Sequence, residues 1–135
     1  MNPPSPLVAS LHVALGGAIG SVLRYQAGRW TTWWLGPQAV TVFPWATLGV
    51  NALGSLLMGL LAGWLARQGQ GGDELRLLLG VGVLGGFTTF SAFSLELVVL
   101  MQRGQFTYAA LYLILSVALG VSGLVFGLAV MRLAA

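Results

Sequence analysis

The chain has 135 residues, of which 57% are hydrophobic and only 7% are charged. A soluble domain carries about 25% charged residues, so most of this protein's surface is predicted to face lipid rather than water. Cysteine is absent, which excludes disulfides, thiolate catalysis and cysteine-based metal sites. The net charge of +3 rests on six arginines that stand singly along the chain. That dispersed pattern does not predict a nucleic-acid-binding surface.

Four apolar stretches are each long enough to cross a bilayer, which takes about 20 residues. They run over about residues 7–28, 43–66, 75–101 and 106–131. Segment 29–42, with three tryptophans typical of a membrane interface, and polar turns at 67–74 and 102–105 connect them. No basic segment precedes the first stretch, so it is predicted to be a retained helix rather than a cleaved signal. We therefore predict an all-α membrane protein, with one transmembrane domain of four helices over residues 1–135.

The six arginines divide evenly between the two ends of the four predicted helices. With four spans, one side holds Arg67, Arg76 and Arg132, and the other holds Arg24, Arg29 and Arg103. Orientation normally follows an excess of basic residues in the cytoplasmic loops, and this chain has no excess. The count predicts insertion in both orientations, unless another signal orients the chain. Two opposite copies would then close an antiparallel homodimer.

The third span contains a glycine-rich run that leads directly into two threonines, Thr88 and Thr89. Because glycine and threonine disfavour an uninterrupted helix, we expect a break near residues 85–89. In lipid, broken backbone is tolerated only where it is buried in protein or lines a wet cavity. Its freed carbonyls and amides can then face a cation or an anion. The alternative is a kinked helix whose hydroxyls bond to their own backbone.

Polar side chains recur at four-residue spacing inside the second and fourth spans. Thr47, Asn51 and Ser55 form one stripe, and Tyr112 and Ser116 form another. A side-chain amide at the depth of Asn51 is costly unless it is paired. Asn51 therefore either bonds to a neighbouring helix or donates an N–H to an anion in a pore.

Phe90 and Phe93 share a helical face if the helix resumes after the break, with Ser91 and Ser94 on a neighbouring face. The positive edge of an aromatic ring can contact a small anion, although a pair at this spacing also suits ordinary packing. Arg24, near the end of the first span, either snorkels to the interface or forms a mouth that gathers anions.

Glu96 is the only acid well inside a span. A proton-coupled multidrug exporter of dual topology needs a central membrane carboxylate, and Glu96 is the candidate for that alternative. A second alternative is a non-transporting assembly subunit that binds partner helices through its G-x-x-x-G faces. One histidine, three acids and no cysteine form no evident triad or metal cluster, so an enzyme is not predicted.

Three blocks of sequence together resemble the Fluc (CrcB) family of fluoride channels. They are GGAIGSVLRY at 16–25, TLGVNALGSLLMG at 47–59 and GVLGGFTTFSAFSLE at 82–96. The resemblance extends over nearly the whole chain, and the third block is its most specific part. It implies a fluoride-selective channel that passively exports fluoride across the inner membrane of a prokaryotic cell. It also implies an antiparallel, dual-topology homodimer with two pores, each using both subunits.

The resemblance further implies roles for individual residues. Asn51 matches the family's pore asparagine, and Phe90 and Phe93 match the aromatic pair that borders the fluoride path. The break in the third helix matches a central sodium site. Backbone carbonyls of Gly85 and Thr88 from both subunits would hold this structural sodium ion at the dimer interface.

The remaining expected path residues are an arginine and several hydroxyls. Arg24 matches the family arginine near the pore entrance, and Tyr112 and Ser116 resemble the start of a hydroxyl track along the fourth helix. We add two further candidate hydroxyls inside the pore, those of Thr47 and Ser91.

Two positions depart from the family pattern. Ala92 stands where threonine is common, and Gly120 continues the spacing of the hydroxyl track without a hydroxyl. One or two hydroxyl contacts of the full path are therefore expected to be missing.

Overall fold

The computed structural model describes residues 4–68 and 72–133, and its elements are helices. In chain order they are α1 Pro6–Val42, α2 Trp45–Leu65, α3 Asp73–Leu75, a π-helix Arg76–Leu84, α4 Gly85–Phe87, α5 Phe90–Gln102 and α6 Phe106–Leu133. Four helical segments are long and apolar enough to cross a membrane: α1, α2, the third span Asp73–Gln102, and α6. The prediction of an all-α chain with four such helices is confirmed.

Helix α1 is longer than the first predicted span. It begins after Ser5, whose hydroxyl accepts a hydrogen bond from the Val8 amide at 3.4 Å, and it ends at Val42. The prediction that segment 29–42 is a connection is wrong, because α1 continues through it to Val42 with one kink at Gly36. Gly36 has φ 82° and ψ 157°, a conformation that favours glycine, and Pro37 starts the next helical segment. The three interfacial tryptophans lie on this longer helix and are exposed.

The third span changes its backbone conformation several times. Its first part is the π-helix Arg76–Leu84, with wider turns than an α-helix. Thr88 (φ −82°, ψ 159°) and Thr89 (φ −153°, ψ 122°) are extended between α4 and α5. The Thr89 hydroxyl then accepts a hydrogen bond from the Ala92 amide at 3.2 Å and caps the start of α5.

The connections between spans are short. Pro44 stands at the N-cap of α2. Of the predicted turn at 67–74, residues 69–71 lie outside the described part of the chain. Gly104 has φ 72°, so the turn at 102–105 depends on glycine.

Glycines set the packing between the helices. Helix α1 packs along the third span, and α2 packs along α6. A Cβ on Gly16 would overlap the Leu78 carbonyl, and a Cβ on Gly59 would overlap the Leu124 carbonyl. These glycines let the backbones of paired helices touch. Glycine faces on α1 and α2 are therefore occupied by contacts inside the chain.

Candidate functional site

The side chain of Asn51 holds the extended backbone of the third span. Its Oδ1 accepts a hydrogen bond from the Thr89 amide at 2.8 Å, and its Nδ2 donates to the Thr89 carbonyl at 3.0 Å. This two-point contact pairs the half-buried amide of Asn51 with the buried, non-helical backbone of Thr89, and pairing of this kind is what polar groups require in a low-dielectric interior. We call the contact between Asn51 and Thr89 the clasp.

The clasp leaves two polar groups available. An asparagine amide has two hydrogens, and the hydrogen bond to Thr89 takes only one of them. The Thr89 amide donates to Asn51, so it does not close the usual helical hydrogen bond to the carbonyl of Gly85. Gly85 is exposed. The extended backbone at Thr88 and Thr89 is thus flanked by an amide donor on α2 and a carbonyl acceptor on α4.

A cavity of about 330 Å³ adjoins the clasp; we call it the central cavity. Among its lining residues are Asn51, Ser55, Thr88, Thr89, Phe90, Phe93, Ser116 and Gly120. The two phenylalanine rings stand 5.7 Å apart between centroids, with 39° between their planes. Within the described residues the buried hydroxyl of Ser116 has no hydrogen-bond partner. The cavity therefore combines two aromatic rings, an amide and an uncommitted hydroxyl, groups that suit a small anion.

A second polar cluster links three helices close to the clasp. The carboxylate of Glu96 accepts hydrogen bonds from the Thr47 hydroxyl at 2.7 Å and from the Tyr112 hydroxyl at 2.6 Å. Tyr112 is fully buried, and its ring packs against Phe93 and Phe43 at centroid distances of 5.1 Å and 5.6 Å. The hydroxyl hydrogens of Thr47 and Tyr112 are therefore both used in hydrogen bonds to Glu96. The carboxylate is held by α2 and α6 rather than lying free in a channel.

Three arginines line one large cavity. A volume of about 960 Å³, which we call the vestibule, is lined by Arg24, Arg29 and Arg103 and reaches Glu96. A smaller cavity of about 290 Å³ shares Arg24 and Glu96 with the vestibule and shares Thr89 with the central cavity. Arg24 is half-buried, and its Nη1 donates to the Thr88 carbonyl at 3.5 Å. The three cavities thus share lining residues, from Arg24 and Glu96 at the vestibule to Thr89 of the clasp.

The structure gathers some of the predicted site residues and separates others. Asn51, Phe90, Phe93 and Ser116 line the same cavity, while the hydroxyls of Thr47 and Tyr112 bond to Glu96. The Ser91 hydroxyl lies 3.3 Å from that of Thr89, and Ser91 is exposed. Phe90 is 79% exposed in the single chain although its ring borders the cavity.

Two site residues were not part of the predicted set. Thr89 forms half of the clasp, and its position just before an apolar helical run is a recognisable N-cap signal. Glu96 had been considered only for an exporter. Its partners lie 49 residues before it and 16 after it, and no spacing rule joins such distant positions.

Comparison with known proteins places these features in a wider group. The family model described as CrcB-like protein, Camphor Resistance (CrcB), matches residues 11–128. A protein of Erythrobacter litoralis named "Fluoride-specific ion channel FluC" is 64% identical over 98% of both chains. Proteins of the same name from Novosphingobium aromaticivorans and Rhizobium leguminosarum bv. trifolii are 62% and 48% identical, each over 93% of this chain and 98% of the relative.

Proposed function

The chain belongs to the CrcB-like protein family, and from this premise we propose that it is a fluoride-specific ion channel. The relatives that carry this name match it over nearly their full length. The protein is a multi-pass membrane protein and not an enzyme. We place it in the inner membrane of a prokaryotic cell, where it passively exports fluoride and so lowers the toxicity of fluoride inside the cell.

The proposed mechanism rests on the residues that line the central cavity. Fluoride holds its water tightly, so a pore must replace that water with donors while binding weakly enough to release the ion. The spare amide hydrogen of Asn51, the unpaired Ser116 hydroxyl and the edges of Phe90 and Phe93 offer several modest contacts there. None of them carries a full positive charge that would trap the ion.

The vestibule supplies the attraction from a distance. Arg24, Arg29 and Arg103 place three positive charges around a wide cavity at one end of the helices. Walls of low dielectric focus such a field and raise the local concentration of anions. The positive charge thus stands at the entrance, where it attracts fluoride, and the neutral donors stand in the central cavity, where the ion must move on.

An antiparallel homodimer of dual topology fits the parts of the site that one chain leaves open. Phe90, Ser91 and Gly85 are exposed in the single chain although they belong to the candidate site. A second copy across a two-fold axis would cover them and complete the pore walls. The equal division of the arginines supports opposite insertion of the two copies.

The donor chemistry at the break of the third helix fits a structural sodium ion. The Gly85 carbonyl lacks its helical donor, and the Thr88 carbonyl belongs to extended backbone with only a long contact to Arg24. Oxygens of unwound helices are suitable ligands for a hard monovalent cation. Carbonyls of Gly85 and Thr88 from two copies would hold the sodium, which would supply a fixed positive charge and join the broken helices.

Fluoride efflux from liposomes containing the purified protein tests this function. Rapid fluoride loss without chloride loss would support the channel. Well-folded protein that releases no fluoride would contradict it and favour an assembly subunit. Loss of a cationic drug driven by a proton gradient, abolished in Glu96→Gln, would favour the exporter.

A further inference from the structure

Ser55 on α2 and Gly120 on α6 are neighbours in the lining of the central cavity. A Cβ built on Gly120 would stand 3.6 Å from the Ser55 hydroxyl, an ordinary contact distance. Both residues line the cavity together with Asn51 and Ser116. Helix α6 has no hydroxyl at position 120, and α2 presents one within reach of the same space.

The Ser55 hydroxyl is uncommitted, whereas seven other serine and threonine hydroxyls donate to the carbonyl four residues earlier. They are those of Ser10, Thr31, Thr32, Thr41, Thr88, Ser94 and Ser122. Within the described residues, 4–68 and 72–133, the side chain of Ser55 makes no hydrogen bond, and neither does that of Ser116. Because such back-bonding uses the hydroxyl hydrogen, its absence leaves that hydrogen free to point into the cavity.

Helical spacing places these groups along one route. Ser55 is one turn beyond Asn51 on α2, and Gly120 is one turn beyond Ser116 on α6. A path that passes Ser116 along α6 therefore meets no donor on α6 at the next turn. The donor at that level is on α2.

We propose that Ser55 is a pore residue that replaces the hydroxyl absent at position 120, so that the fluoride path crosses from α6 to α2 at this level. The proposal rests on the function proposed above, since it deepens the description of the same pore. Without Ser55, fluoride would pass one helical turn with no side-chain donor on either helix. A hydrogen bond to a charged group is among the stronger ones, so losing it should slow permeation by about tenfold.

The test compares wild-type protein with Ser55→Ala and with the double variant Ser55→Ala/Gly120→Ser. Initial fluoride efflux is recorded with a fluoride electrode from liposomes with equal protein content. Ser55→Ala should lower the rate by about tenfold, and the double variant should return it to within about twofold of wild type. The serine introduced at position 120 has room, because a Cβ there meets no atom closer than 3.6 Å.

Ser10→Ala is the matched control. The Ser10 hydroxyl donates to its own helix at 2.8 Å and lies outside the cavities described above, so this variant should conduct at the wild-type rate. Wild-type efflux from Ser55→Ala would overturn the proposal. A slow Ser55→Ala that Gly120→Ser does not restore would also overturn it, since Ser55 would then act on structure alone. No fluoride efflux from the wild type would instead overturn the channel function itself.

Discussion

Replacing Asn51 by aspartate changes the clasp at a single atom. Oδ1 can keep its 2.8 Å hydrogen bond from the Thr89 amide, but the second oxygen would face the Thr89 carbonyl, where Nδ2 now donates at 3.0 Å. A donor–acceptor contact would become a contact between two acceptors. Losing that bond and leaving a buried carbonyl unpaired should lower the free energy of unfolding by about 1–3 kcal/mol.

The same substitution adds a negative charge beside the central cavity. At an effective dielectric constant of about 20, two like charges about 5 Å apart repel by about 3 kcal/mol. That repulsion corresponds to a drop in fluoride permeation on the order of 100-fold. Asn51→Ala removes both hydrogen bonds of the clasp without adding charge, so it separates the electrostatic effect from the structural one.

The assay is fluoride efflux from liposomes, paired with thermal unfolding of each variant in detergent. Both variants should unfold at lower temperature than the wild type, and the aspartate variant should conduct far less fluoride than the alanine variant. If the two variants, equally folded, release fluoride at the same rate, a charge at position 51 does not repel the permeating ion. The assignment of Asn51 to the fluoride path would then be refuted.

Three further predictions concern packing, the Glu96 carboxylate and the sodium ion. Gly16→Ala should destabilise the protein by about 1–3 kcal/mol because its Cβ overlaps backbone, whereas Gly17→Ala, which meets nothing within 4 Å, should leave the unfolding temperature unchanged or raise it. Tyr112→Phe should cost about 1–3 kcal/mol by leaving one oxygen of Glu96 unpaired, while Tyr108→Phe, at an exposed ring, should unfold like the wild type. Replacing sodium with a large organic cation should lower the unfolding temperature of the assembled protein, and an unchanged temperature would count against a structural sodium ion.

The sequence predicts the parts of this fold that depend on local composition. Four apolar runs of sufficient length predict four membrane-crossing helices, because an unpaired backbone in lipid favours helix over every open structure. Asn51 could be singled out for the same reason, since a buried amide must be paired. Its partner could not be predicted, because Thr89 is 38 residues away and helical periodicity says nothing about which backbone lies opposite.

The misplaced end of α1 has a different physical cause. Tryptophans at 30, 33 and 34 indicate a membrane interface, and interfacial composition is compatible with both a loop and a helix. The decisive local signal is the Gly36–Pro37 pair, where the helix changes direction. The cluster of Thr47, Glu96 and Tyr112 was likewise beyond sequence reasoning, because three helices must first pack to bring those hydroxyls to one carboxylate.

The reversal potential of the reconstituted protein in a planar bilayer tests the central claim most directly. With a tenfold fluoride gradient and equal chloride and pH on both sides, the current through a passive fluoride-selective channel should reverse at about 59 mV. An added pH gradient should not move that value. A reversal potential that follows chloride, or that shifts with the pH gradient, would contradict passive and selective fluoride conduction.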